Sequence, residues 1–303
     1  MHIPVPQHLT NGWSVIREDW RVALWTAVVA GIASLASAIV LVPMITIGFA
    51  AVGAISTAES MALTVAMGVI LGGTFLIALF GVGIAVQSVL RAGVIGVLRA
   101  RKPGMVTDFG TYWAYARTGF KTQFRAHAPG WVLWIPYFLV LFGVLAAIFF
   151  LSGGAEAFER QGDEGVVAVV LMMIGFFGMS LLLLPLQLVI TYGTKYGAYV
   201  MHDNPSQGGW AAFRKGLRFA AKNFWAVVGL SLLFLLVYFG ISVAVQVVSI
   251  PASLLGAIPL IGAILSIPIS LGLVLISAAV QSVVLVWEEQ ASLNLYDDRK
   301  EAM

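Results

Sequence analysis

Residues 223–287 read NFWAVVGLSLLFLLVYFGISVAVQVVSIPASLLGAIPLIGAILSIPISLGLVLISAAVQSVVLVW, the longest uncharged stretch of the chain and the one that decides its fold. A membrane-spanning helix needs about 20 apolar residues to cross about 30 Å of hydrocarbon, so this stretch is long enough for two. Pro251 and Pro259 stand near its middle, and proline disfavours an ordinary helix because it has no amide hydrogen to donate. The stretch therefore predicts two membrane helices, at about 223–249 and 261–287, joined by a turn.

Four shorter uncharged stretches precede it, at 22–58, 60–90, 126–155 and 165–194. They predict membrane helices at about 22–50, 61–90, 131–151 and 166–193. Helices are the expected element, because irregular backbone facing lipid would lack hydrogen-bond partners. The composition agrees, since only 10% of the 303 residues are charged, against about 25% in an average soluble domain. We therefore predict an all-α polytopic membrane protein, a single membrane domain over 1–303 with six transmembrane helices.

The distribution of Lys and Arg predicts the orientation of these helices. If both termini and the long connections lie on one side of the membrane, that side holds all 17 Lys and Arg residues except Arg160. Because Lys and Arg concentrate in cytoplasmic loops, we expect a multi-pass protein of the inner or plasma membrane with both termini in the cytoplasm. Residues 288–303 are predicted to form a polar cytoplasmic tail.

A tryptophan followed by a base at every fourth position occurs in two places. The copies are Trp113, Arg117, Lys121 and Arg125, and Trp210, Arg214, Arg218 and Lys222. Bases four residues apart share one side of a helix, and the aromatic residues beside them are typical of an amphipathic helix at the level of the lipid headgroups. Each base near an anionic surface is worth about 1 kcal/mol. We expect both helices to contact membrane lipids, with anionic headgroups preferred. The alternative is that they cap the helix bundle and face water.

Two landmarks together predict an internal repeat. Near the N-terminus, Trp13, Arg17 and Arg21 reproduce the spacing, although Trp25 stands where the third base would fall. The even-numbered predicted helices close on glutamines in AVQSV, PLQLV and AVQSV, namely Gln87, Gln187 and Gln281. The sequence thus predicts three repeats, approximately 10–91, 107–191 and 206–287, each an amphipathic cytoplasmic helix followed by a two-helix hairpin. We interpret the glutamines as interhelical hydrogen-bonding groups. A polar constriction formed by all three is the alternative.

Six spans in hairpin repeats with basic, aromatic connecting helices resemble the membrane domain fused to some glycerophosphodiester phosphodiesterases, and related uncharacterised prokaryotic membrane proteins. The resemblance is one of pattern over most of the chain. It carries no catalytic motif of those enzymes, so it implies a fold and transfers no site residue.

Few residues of the chain suggest catalysis. No ionisable side chain lies in the core of a predicted membrane helix, which weakens ion-coupled transport as a hypothesis. His202 and Asp203 are adjacent but belong to no larger motif, and the chain has no cysteine. A net charge of +3 is too small for a nucleic-acid partner. We predict a protein without catalytic activity, cofactor or metal that organises lipids or partner proteins at the inner leaflet. The alternative is a permease or channel for a small neutral or amphipathic solute.

Overall fold

The computed structural model describes residues 4–55, 61–102, 105–151, 163–256 and 261–302, and within these ranges the secondary structure is helical. The α-helices are α1 (Val5–Glu18), α2 (Arg21–Ile55), α3 (Met61–Ala100), α4 (Phe109–Leu151), α5 (Asp163–Leu182), α6 (Leu184–Asp203), α7 (Gly209–Lys222), α8 (Phe224–Gly256) and α9 (Ile261–Arg299). A 3-10 turn, Lys300–Ala302, follows α9. The prediction of an all-α chain is confirmed. Pro259 and Arg160 lie outside the described residues.

Length and hydropathy identify two to four candidate membrane spans among the described residues. Gly81–Ala100 and Phe224–Pro251 qualify as single helices. Two helix pairs qualify only when each pair is taken together: Val5–Glu18 with Arg21–Ser37, bent by 83°, and Met173–Leu182 with Leu184–Asp203, bent by 56°. The chain therefore has helices able to cross a membrane, in keeping with its composition.

The second bend corrects one predicted element. The sequence predicted a continuous helix over 166–193, but the structure has two helices, α5 and α6, separated at Leu183. Pro185 is the second residue of α6 and cannot donate an amide hydrogen to the turn before it, which permits the bend. The two basic segments also differ, because the first is continuous with the helix that follows it in α4, whereas α7 ends at Lys222 and α8 begins at Phe224.

Helix α9 is longer than the predicted span. Residues 288–299, which we predicted to be the start of a polar tail, continue the helix to Arg299. Ala291, Leu293, Leu295 and Tyr296 in this segment are buried. The segment is therefore helical and contributes buried side chains to the core.

The chain divides into two compact units. One comprises Met1–Phe124 and Lys222–Met303, and the other comprises Arg125–Ala221. In the first unit the largest buried side chains include Tyr112, Phe234 and Leu295, and in the second Tyr196 and Phe219. Tyr112 lies beside the basic segment of α4, and Phe219 lies within that of α7.

Helix α8 also has an exposed apolar surface. Leu235, Leu236 and Phe239 are each more than half exposed. Burying one such side chain is worth about 1.5–3 kcal/mol, so a row of them exposed to water would be strongly unfavourable. A large open apolar surface marks a membrane or protein contact, and the length and hydropathy of Phe224–Pro251 favour membrane.

Candidate functional site

Three helices each present an exposed tryptophan with an exposed arginine one turn later. The tryptophans are similarly exposed, at 46% for Trp13, 45% for Trp113 and 50% for Trp210. The arginines that follow them, at 17, 117 and 214, are also exposed. Trp13 lies on α1, Trp113 near the start of α4 and Trp210 on α7.

The side of each helix that faces away from its bases is buried in protein. The third residue after each tryptophan is buried, and these residues are Ile16, Ala116 and Phe213. On α7 the buried set continues with Phe219 and Ala220, one to two turns further on. Each helix therefore has one face held by protein and another that keeps the tryptophan and the base open.

We call Trp113 with Arg117, Lys121 and Arg125 the basic face of α4, and Trp210 with Arg214, Arg218 and Lys222 the basic face of α7. All six bases are exposed. Neither 109–127 nor 209–222 contains an Asp or Glu residue. The six predicted headgroup-contacting bases thus lie on two helix surfaces that carry positive charge without acids of their own.

Most of these bases form no ion pair. Among the described residues, Arg117, Lys121, Arg214 and Arg218 take part in no salt bridge. Arg125 donates to the carbonyl oxygen of Gln207, with 3.1 Å between Nη2 and the oxygen. That contact leaves its charge unneutralised, so both basic faces retain positive charge for an external anion.

Helix α7 packs on α6 through direct backbone contact on the side away from its basic face. A Cβ atom at Gly216 would overlap the amide nitrogen of Gly197 and lie 2.8 Å from the carbonyl oxygen of Gly193. A Cβ atom at Gly193 would lie 2.5 Å from the ring of Phe213. Only glycine permits the two helices to approach so closely, and the close approach fixes which side of α7 remains open.

Helix α4 packs on α3 through two tyrosines that lie outside its basic face. A Cβ at Gly93 would lie 2.5 Å from the Tyr112 ring, and one at Gly96 would lie 2.6 Å from Cβ of Tyr115. The Tyr112 hydroxyl donates to the carbonyl oxygen of Leu90 at 3.3 Å. Burial raises the pKa of Tyr112 to about 12, because the phenolate would lose its hydration. The two tyrosines of α4 thus pack against glycines of α3.

The start of α4 is capped by a carboxylate. Oδ1 of Asp108 accepts a hydrogen bond from the amide of Thr111 at 2.6 Å. Hydrogen bonds from Thr111 hold the pKa of Asp108 below its usual value. The cap satisfies an amide at the helix end that has no partner within the helix, and so fixes where α4 begins.

Helix α1 rests on the last part of α9. Gly12 faces Trp287 and Ala291, and a Cβ atom at Gly12 would lie 3.1–3.2 Å from atoms of both. The indole nitrogen of Trp287 donates to the carbonyl oxygen of Leu9 at 2.9 Å. The rings of Trp13 and Trp287 meet edge to face at 5.3 Å.

Several bases elsewhere in the chain are paired with acids. Arg91 Nη2 lies 3.2 Å from Oε1 of Glu289, whose side chain is only 1% exposed. The other pairs are Arg99–Asp297 at 3.0 Å, Arg101–Glu18 at 2.9 Å and Lys300–Asp297 at 3.0 Å. Sequence reasoning missed the pairs of Arg91 and Arg99 with α9 because they join residues far apart along the chain.

A polar cleft of about 380 Å³ opens between α1 and α9. Its lining consists of His8, Asn11, Gln290, Asn294, Asp297 and Asp298. Nε2 of His8 lies 3.7 Å from Oδ2 of Asp298. Among the described residues no group of three or more His, Asp or Glu side chains could hold a metal ion.

The three glutamines have different surroundings. Gln187 on α6 is partly buried, and its amide nitrogen donates to the hydroxyl of Tyr137 on α4. Gln281 is exposed and donates to Ser277 Oγ at 3.0 Å, one turn earlier on its own helix. Gln87 is exposed. Of the three, Gln187 forms the interhelical bond that the sequence suggested, whereas a constriction shared by all three stays a prediction.

Comparison of the chain with protein-family models, with curated proteins and with solved structures gave no match. The interpretation of its function therefore depends on the geometry of its own residues.

Proposed function

We propose that this protein is a non-enzymatic integral membrane protein that binds anionic lipid headgroups at the inner leaflet through the basic faces of α4 and α7. One observation carries the proposal. Exposed bases stand beside half-exposed tryptophans on helices whose opposite faces are buried, and four of these bases form no ion pair among the described residues.

The chemistry of these faces suits lipid headgroups. Tryptophan favours the membrane interface, because its ring is apolar and its indole N–H is polar. Each base near an anionic surface contributes about 1 kcal/mol, so three on one helix are a substantial attraction. Each face is held in one orientation by a buried contact. Gly216 of α7 packs against α6, and Tyr112 of α4 packs against α3.

We further propose the finer topology: six spans in three repeats, with cytoplasmic termini, in the cell membrane. Support comes from the recurrence of one packing arrangement. Helix α1 packs on the end of α9, the start of α4 on the end of α3, and α7 on α6. In each case a helix with an exposed tryptophan and arginine packs at the end of an even-numbered predicted span or on the helical residues that follow it. The similarity to the membrane domain fused to some glycerophosphodiester phosphodiesterases belongs to this proposal too.

The lipid proposal is tested by neutralising both basic faces. Replacing Arg117, Lys121, Arg125, Arg214, Arg218 and Lys222 by Gln should lower affinity for phosphatidylglycerol by more than about a hundredfold. Binding is measured on the full chain in nanodiscs of phosphatidylcholine with increasing phosphatidylglycerol. A matched control exchanges Arg for Lys and Lys for Arg at the same positions, and should bind as the unmodified protein does. Unchanged affinity in the Gln variant would refute the proposal.

The bend at Leu183 favours a second candidate, a permease for a small neutral or amphipathic solute. Broken helices line substrate paths in many transporters, and here the 56° bend stands beside Pro185 and the Gln187–Tyr137 bond. Liposomes containing the protein should then pass glycerol faster than empty ones, and Gln187→Leu should change that rate. Equal rates with and without the protein would remove this candidate for glycerol-sized neutral solutes.

A further inference from the structure

The N-terminal helix meets the helix after it almost at a right angle. The angle between Val5–Glu18 and Arg21–Ser37 is 83°. Helix α2 is apolar and uncharged after Arg21, as expected of a segment that enters the hydrocarbon. If α2 runs close to the membrane normal, an 83° bend places α1 in the plane of the membrane surface.

The corner between these helices is fixed by hydrogen bonds. Asp19 at the corner is buried, and its Oδ2 accepts from the amide of Thr107 at 2.9 Å. Its Oδ1 accepts from the amide of Arg21 at 3.3 Å. The indole nitrogen of Trp25 donates to the carbonyl oxygen of Thr107 at 3.0 Å. Three bonds to one corner indicate that the angle is a defined feature of the fold.

Helix α1 has three distinct flanks. His8, Gly12 and Ile16 form the buried flank. At about 3.6 residues per turn, Gln7, Asn11 and Glu18 fall on a second, exposed and polar flank, which borders the polar cleft. Trp13 and Arg17 fall on a third flank, well separated around the helix from Asn11 and Glu18.

The acid nearest in sequence to Arg17 is already occupied. Oε2 of Glu18 lies 2.9 Å from Nη2 of Arg101. Arg17 is exposed and takes part in no ion pair among the described residues. The third flank therefore carries an open base beside an aromatic ring that is half exposed.

We infer that α1 is a third lipid-binding helix, which lies along the inner leaflet and sets Trp13 and Arg17 among the headgroups of anionic phospholipids. The inference rests on the proposed function, because it assigns the same class of ligand to another helix. The polar flank of α1 and its cleft then face the cytoplasm. The buried flank holds α1 on α9, so lipid contact at the N-terminus bears directly on the packing of the C-terminal helix.

The orientation of α1 can be tested with cysteine probes, because the chain has no cysteine of its own. Thr10→Cys places a label one turn before Trp13, and Asn11→Cys places a control label on the polar flank. Both residues are exposed in the protein. In nanodiscs containing phosphatidylglycerol, the label at 10 should be shielded from a water-soluble quencher while the label at 11 stays accessible. Equal access at both positions would overturn the inference.

The lipid contact is tested by comparing two single variants. Arg17→Gln and Arg214→Gln should each lower phosphatidylglycerol affinity about fivefold, the equivalent of one base near an anionic surface. Arg17→Lys should retain the affinity. A loss with Arg214→Gln but not with Arg17→Gln would overturn the inference for α1 and leave the proposed function standing. No loss with either variant would count against both.

Discussion

Two groups of bases in this protein have different surroundings. Those at the ends of α3 and α9 are paired with acids, as Arg91 is with Glu289 and Arg99 with Asp297. Those on the basic faces of α4 and α7 are exposed, and Arg214 and Arg218 form no ion pair among the described residues. Chemically identical side chains thus stabilise the fold in one region and remain open to a ligand in the other. The position of the acids separates the two roles.

The two basic faces also differ in how the fold holds them. The face of α4 is held by the buried ring of Tyr112 against Gly93, whereas the face of α7 is held by Gly216 against the backbone of α6. One contact contains an ionisable group and the other does not. The two can therefore be perturbed independently.

The largest effect is expected from the paired group. Glu289→Ala leaves the charge of Arg91 partly buried without its carboxylate, which should cost about 3–5 kcal/mol of stability. The thermal unfolding of the full chain in detergent measures this loss. Glu18→Ala is the matched control, because that carboxylate is 57% exposed and should be worth about 1 kcal/mol or less. Equal losses would show that burial does not distinguish these pairs.

Alkaline pH should loosen the contact of α4 selectively. Folding favours the neutral form of Tyr112, whose pKa is raised to about 12. Its contribution is therefore complete below pH 10 and is lost as the pH rises through 12, by up to about 2–3 kcal/mol. Unfolding midpoints compared between pH 9 and pH 12 should fall less in Tyr112→Phe than in the unmodified chain. Parallel falls in both proteins would contradict the prediction.

A methyl group should disturb the contact of α7. Gly216→Ala introduces a Cβ onto the backbone of α6, and overpacking of this kind costs about 1–3 kcal/mol. The shift of α7 should also weaken phosphatidylglycerol binding, although no base is removed. Gly119→Ala is the control, because its Cβ would lie 3.1 Å from Cβ of Ala92, a contact that small movements can relieve. If both variants unfold at the same temperature, the contact at Gly216 is no less tolerant of a methyl group than the contact at Gly119.

The smallest effect on stability is expected from the open bases. Arg214→Gln with Arg218→Gln should change the stability by no more than about 0.5 kcal/mol, because these exposed side chains form no salt bridge within the described part of the chain. The unfolding midpoint in detergent provides the measurement. A marked loss of stability would show that these arginines stabilise the fold, as the paired bases do.

Local patterns predict much of this architecture. Uncharged stretches gave the all-helical chain, and four-residue spacing placed the bases of each connecting helix on one surface. The pairing of Arg99 with Asp297 could not be foreseen, because it joins residues 198 positions apart and depends on tertiary packing. The same cause hid the packing of residues 288–299, which were predicted to belong to a polar cytoplasmic tail. Pro185 signalled a break in the fourth predicted helix, but proline is tolerated as a kink as well as a break.

The claim that open bases bind anionic lipid and paired bases do not is tested most directly by two double variants with the same change in net charge. One removes open bases, Arg214→Gln with Arg218→Gln, and the other removes paired bases, Arg99→Gln with Arg101→Gln. The measurement is phosphatidylglycerol affinity of the full chain in nanodiscs. We expect a loss of about 30-fold for the first variant and little change for the second. Equal losses in both variants, or no loss in the first, would contradict it.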